Sequence, residues 1–415
     1  MERFLTIFWL LLIPTQLGRH FWLDESSVMG VRIDYLSFIL YATDIAWFLW
    51  LIFKIKNEKL DFKKQINKLL TFQNFILLLF VLVNVSFAQA RWVAIYHWLR
   101  LWQWWITWQL IKSGKLVNMN KIKEILRSIV PIWIIFESFL GLAQVIKGGS
   151  INGLLWWIGE RKFTYGGIGI AQIRFFDEGW IRAYGSFSHP NSLAGFLLLA
   201  WWWFRQQFRS SGGQGFNRVW YWIVNWSAIL GIVLSGSRVV WVLTLLMLVV
   251  EQLPLGKNFW KDRKFIGKIF LFFGVIMLLL GLISVNYRIR DFLGGWDIQS
   301  LQKREKLALS ALKMIKDTPL FGVGLGNFMV KLPSYQGNGF YWMQPVHNIF
   351  LLVWSEVGVL GMILFLIFIA EHFLKIKWRK KYWFLLIVGI SGMMDHYWVT
   401  LPQNSWLLAI ILGLI

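Results

Sequence analysis

The sequence predicts an all-α polytopic integral membrane protein of about twelve transmembrane helices, on three observations. Hydrophobic residues make up 57% of the 415 residues and aromatic residues 18%, with 29 tryptophans, and mean hydropathy is +0.55. Apolar stretches long enough to cross roughly 30 Å of hydrocarbon recur along the whole chain. Between them basic residues alternate from loop to loop, so the net charge of +22 reads as orientation in a membrane and not as a nucleic-acid surface.

In chain order the predicted spans are 4–17, 34–53, 71–89, 91–111, 129–146, 190–204, 219–235, 239–253, 269–285, 347–370, 383–394 and 404–415, the last two being short. The first lacks a small-residue cleavage site and is followed by further spans, so it reads as a retained span and not a signal peptide. Lys54, Lys56, Lys59, Lys63, Lys64 and Lys68 fill the second loop, and Lys112, Lys115, Lys121, Lys123 and Arg127 the fourth. Arg205, Arg209 and Arg218 mark the sixth; Lys257, Lys261, Arg263, Lys264 and Lys268 fill the eighth; Lys375, Lys377, Arg379, Lys380 and Lys381 fill the tenth. The positive-inside rule then makes the even loops and both termini cytoplasmic and the odd loops external. One integral domain, 1–415, is expected, with no internal repeat. Two outer loops are long, 147–189 and 286–346, and long loops are where function concentrates. The absence of cysteine excludes disulfides and thiolate chemistry.

The candidate chemistry gathers on the outer side. His347-Asn348 stands where the second long loop becomes a span, and an imidazole at a membrane face is a candidate proton acceptor. In the plainer reading Asn348 caps the helix and His347 rests among head groups. The first long loop ends in Arg182-Ala183-Tyr184-Gly185-Ser186-Phe187-Ser188-His189-Pro190-Asn191, where Pro190 and Asn191 also fit a helix start. Ser235-Gly236-Ser237-Arg238 is a turn so tight that Arg238 sits at the outer surface, where its guanidinium needs an anionic partner or snorkels to lipid. Residues 300–317 predict an amphipathic interfacial helix with Leu301, Ala308, Leu312 and Ile315 on its apolar stripe, Lys303, Lys306, Ser310, Lys313 and Asp317 opposite, and Arg304 beside the stripe facing the protein. Gly322-Val323-Gly324-Leu325-Gly326 offers amides to a phosphate, a weak signal taken alone. Asp44, Glu137 and Glu356 fall inside spans, where pairing within the bundle is expected. Trp156, Trp157, Phe175 and Trp180 are either sugar-stacking surfaces or interfacial anchors.

Arginines from separated loops converging on one face suit a pyrophosphate, because a planar fork of donors matches its oxygens. Arg182 with Gly185-Ser186-Phe187-Ser188-His189-Pro190-Asn191, the Ser237-Arg238 turn, Arg304, Gly322-Val323-Gly324 and His347-Asn348 with Glu356-Val357-Gly358-Val359-Leu360-Gly361 resemble the O-antigen ligase family, over about residues 180–370. The resemblance implies a GT-C type, metal-independent, inverting glycosyltransferase without cofactor in the bacterial cytoplasmic membrane, working on its outer face. The donor implied is an undecaprenyl-pyrophosphate-linked glycan, and the acceptor a glycan, lipid-linked glycan or protein hydroxyl. By position, His347 is the implied base, Arg238 and Arg304 the pyrophosphate clamp, and Arg182, His189, Asn191 and Asn348 further substrate-binding residues. No Asp-x-Asp occurs, in keeping with metal independence. A polymerase shares this donor chemistry. A transporter or flippase is the alternative of another class, but its site would sit near the bilayer midplane in broken, repeated helices.

Overall fold

The computed structural model describes residues 1–57, 72–114, 118–167, 169–175, 178–213, 217–252, 298–337, 343–375 and 383–415. They are mostly helical. Among the described residues, five helices carry the first half: α1 (Glu2–Leu11), α2 (Ala42–Asn57), α3 (Phe72–Phe87), α4 (Arg91–Ser113) and α5 (Met119–Lys147). Then come α6 (Pro190–Ser210), α7 (Arg218–Leu234), α8 (Arg238–Gln252) and α9 (Ile298–Asp317), and after two short turns α10 (Ile349–Lys375). A π-turn at Leu386–Ile390 runs into Ser391–Met394, and α11 (Pro402–Leu414) ends the chain. Met119–Lys147 and Ile349–Ala370 are long and apolar enough to cross a bilayer; Phe75–Phe87, Arg218–Leu234, Arg238–Val249 and Trp383–Met394 are shorter apolar helices. The predicted span 269–285 and the eighth basic loop lie outside the described residues.

At the centre stands α6. Every residue from Leu193 to Arg205 is buried, as expected of a helix apolar on all sides. Trp133, Trp201, Trp202, Trp203 and Trp406 join it in the main core, packed from α5, α7, α8 and α11. One end of the bundle is closed by ion pairs: Lys54 to Glu2 at 2.6 Å, Arg3 to Glu124 at 3.7 Å, and Arg205 and Arg209 to Glu251. Lys54, Arg205 and Arg209, read above as loop residues, therefore lie on α2 and α6, Lys54 and Arg209 in their last turns.

Three expectations are corrected. The span 34–53 begins only at Ala42, because Phe38–Tyr41 is a strand paired with Gly18–Phe21; an apolar run that passes from strand into helix has no period to mark the change. On α9 the buried residues are Leu307, Ser310, Ala311 and Met314, while Leu309 and Leu312 stay half exposed. The apolar stripe was thus drawn about one residue off, because lipid and protein both accept leucine and the pattern alone does not say which face meets which. The third correction concerns the glycines. Helix α10 is broken at Gly358 (φ 65°), and the carbonyls of Ser355 and Glu356 accept from the amides of Val323 and Gly324 at 2.9 and 3.0 Å. Leu325 N donates to Asn84 Oδ1 and Phe328 N to Glu356 Oε1. A Cβ on Gly322 would lie 2.4 Å from the Glu356 backbone. These amides are consumed in seating a broken helix, and none of the four faces a phosphate.

Candidate active site

At the bundle end opposite the ion pairs, the segment 182–191 is held before α6 by buried acceptors. Gln144 Oε1 takes the amides of Tyr184 and Gly185 at 3.2 and 2.8 Å, and Glu137 takes the amide and hydroxyl of Ser186, both at 2.7 Å. Ala183 N donates to Leu234 O. His189 caps α6, its Nδ1 accepting from Asn191 N at 3.2 Å.

Arg182 then reaches across to the turn between α7 and α8. Its Nε donates to the Ser235 carbonyl at 2.6 Å and a terminal nitrogen to Asn191 Oδ1 at 2.5 Å. Gly236 (φ 63°) leaves the space: a Cβ there would stand 3.0 Å from Arg182 Nε. Burial, then the nearby Arg238 and Arg304 charges, lower the Arg182 guanidinium to about 10. Arg304 donates to the Met394 carbonyl at 2.9 Å.

Asn191 passes the chain of contacts on, its Nδ2 donating to Asp395 Oδ2 at 2.7 Å. The other carboxylate oxygen of Asp395 faces His347 Nδ1 at 3.5 Å and His396 Nε2 at 3.8 Å. The first is an ion-pair distance and not a hydrogen bond, and His347 Nδ1 is buried with no closer partner; such contacts tighten when substrate binds. The two imidazoles lie 5.3 Å apart. Burial pushes the Asp395 carboxyl up, but His347 first and then His396 and His189 together hold it well below the usual carboxylate range. Burial pushes the His189 imidazole down to about 3 and that of His396 to about 4.

Arg182, His189, Asn191, Arg304 and His347 thus meet at one place, with Arg238 within electrostatic reach of Arg182. Asn348 is next in the chain, but its Oδ1 accepts from the amides of Phe350 and Leu351 at 2.9 and 3.0 Å, capping α10. Sequence reasoning missed Asp395 and His396. Their signal was an Asp-His dipeptide between two short apolar segments, where a charge is costly without a purpose. Chemically, the carboxylate fixes one imidazole nitrogen and leaves Nε2 of His347 for a hydroxyl proton. A second capacity exists: ligand atoms of His347, Asp395 and His396 all lie within 4.8 Å of one another, close enough to hold a metal ion.

Residues 223–366 match the family model described as O-antigen ligase. Over that stretch the chain is similar to O-antigen ligases. The matched stretch contains Arg238, Arg304 and His347, while Arg182 and Asp395 approach it from either side in sequence. Ligases of this family are glycosyltransferase-like inner-membrane proteins that take lipid-linked glycans. No curated protein matches the chain.

Proposed function

We propose that this protein transfers a glycan from an undecaprenyl-pyrophosphate-linked donor to an acceptor hydroxyl on the outer face of the bacterial cytoplasmic membrane, in a chain of about twelve spans with both termini inside. The observation that carries the reading is the gathering of Arg182, Arg238 and Arg304 beside the His347–Asp395 pair.

In the proposed reaction His347 Nε2 accepts the acceptor O–H proton as the oxygen attacks the anomeric carbon. The new C–O bond forms opposite the bond to pyrophosphate, whose electron pair leaves with the leaving group, so the configuration inverts. Positive charge at Arg182, Arg238 and Arg304 stabilises the departing pyrophosphate, which needs no proton to leave. Asp395 holds the imidazole in the competent tautomer, and no metal is needed. A polymerase would use the same residues with a different acceptor.

The test is release of undecaprenyl pyrophosphate from a lipid-linked oligosaccharide by purified protein. Wild type should release it when acceptor is added, and His347→Ala should lose about 10²–10⁴ in rate. Full activity in His347→Ala would sink the assignment. The proximity of His347, Asp395 and His396 favours a second reading, a bound divalent ion. Transfer that stops with chelator and returns with metal would select it over the metal-free one.

A further inference from the structure

A cavity of about 1940 Å³ lies beside the histidine cluster, reaching it at His189. Ser188, His189 and Tyr35 line it, whereas Arg182, Arg238 and Arg304 do not. Tyr35 ties it to the site: its ring meets that of His396 edge-on at 5.6 Å, and it lies within electrostatic reach of both Asp395 and Arg161. A single glycosyl transfer must bring two substrates to one base, and the arginine cluster supplies a berth for only one of them.

The cavity's outer wall is basic. Arg32, Arg161 and Lys162 line it and are exposed, and none makes an ion pair with a carboxylate among the described residues. Two acids stand on the same wall. Glu160 is buried and already accepts from Gln144 Nε2 at 2.9 Å and from the amides of Ile151 and Asn152, both at 2.7 Å, so it is spent on holding the loop. Among the described residues of this wall, Asp34 is the other acid, against three cations. Beside them Trp156, 54% exposed, lines the same space. Cations with an indole suit a pyranose carrying a negative substituent, the ring stacking while the guanidinium takes the anion.

We propose that this wall, centred on Arg161 with Lys162 and Arg32, binds an acidic glycan, a sugar bearing a carboxylate or a phosphate, and presents it as acceptor to His347. The proposal rests on the transfer reaction above and names its acceptor class. Binding and transfer are separable, so each can fail alone.

The experiment is binding to the full-length protein in phosphatidylcholine nanodiscs, with three probes: tetragalacturonate, maltotetraose 6-phosphate and neutral maltotetraose. At least one acidic probe should bind about tenfold tighter than the neutral one, the size expected of one charge-assisted contact; the tighter of the two names the anion. The preference should vanish in Arg161→Gln/Lys162→Gln and persist in His347→Ala. Equal binding of all three probes, or an unchanged preference in the double variant, overturns the proposal. So does loss of glycan binding when phosphatidylglycerol replaces phosphatidylcholine, which would assign the wall to lipid head groups. Preference without any transfer by wild type would instead sink the transferase reading and leave this site standing.

Discussion

Arg205 and Arg182 flank the same central helix, and they are treated in opposite ways. Arg205, near the end of α6, binds the Glu251 carboxylate and Asn225. Arg100 is handled likewise, with Asp44 at 2.5 Å and Gln103 at 3.0 Å. Among the described residues Arg182, before α6, binds a carbonyl and an amide oxygen, and Arg304 donates to another carbonyl. The nearest carboxylate, Asp395, is given over to His347, His396 and Asn191. A buried cation matched by a carboxylate is finished; one held by neutral acceptors keeps its charge for something that arrives later. Position in a membrane protein thus says less about an arginine than the charge of what holds it.

This contrast breaks most visibly in function. Arg182→Ala or Arg304→Ala should weaken donor binding and lower turnover together, by about 10²-fold or more each. Lysine should not restore Arg182, whose two nitrogens hold two separate acceptors. Steady-state release of undecaprenyl pyrophosphate over a range of donor concentrations checks this; an unchanged rate would mean the arginines serve only the fold.

Stability should invert the ranking. Arg205→Ala leaves the buried Glu251 carboxylate with Arg209 as its one remaining ion-pair partner among the described residues and should cost about 2–3 kcal/mol, whereas Arg304→Ala leaves only a neutral carbonyl and should cost about 1 kcal/mol. Thermal unfolding of the two variants in the same detergent decides it, and equal losses would erase the distinction.

The smallest effect is a pH dependence confined to the site. His189 and His396, pushed by burial to about 3 and about 4, stay neutral in the folded protein where the unfolded chain takes up protons below its ordinary 6.5. Their contribution is whole above that value and drains as pH falls toward 4. Asp395, held low, contributes above its ordinary 3.8 and loses its share only below that. The unfolding temperature should therefore drop by a few degrees from pH 7 to pH 5, and less in His189→Gln/His396→Gln.

Most of the helices and most of the site were legible because each chemical residue stands where an apolar segment ends. Arg182, His189, Arg304 and His347 announce themselves against a lipid-compatible background. Asp395 and His396 do not, because they sit in a link of a few residues between segments too short to read as spans with assurance. The strand pair Gly18–Phe21 with Phe38–Tyr41 was hidden for a different reason: its apolar residues merge with those of α2. The glycine run before Phe328 misled, since its conformational freedom serves backbone packing against a broken helix and not ligand approach.

The break at Gly358 has a mechanical corollary. The stretch of α10 behind His347 is laced to the loop 319–328, and that loop continues from α9, which carries Arg304. Leu307, Met314, Phe328, Val346 and Leu352 form a core of their own, apart from the one around α6. His347 and Arg304 therefore belong to one block, while Arg182, Asn191 and Arg238 belong with the trunk. The His347–Asp395 contact crosses the seam between the two cores, so its length depends on how the two blocks are packed together.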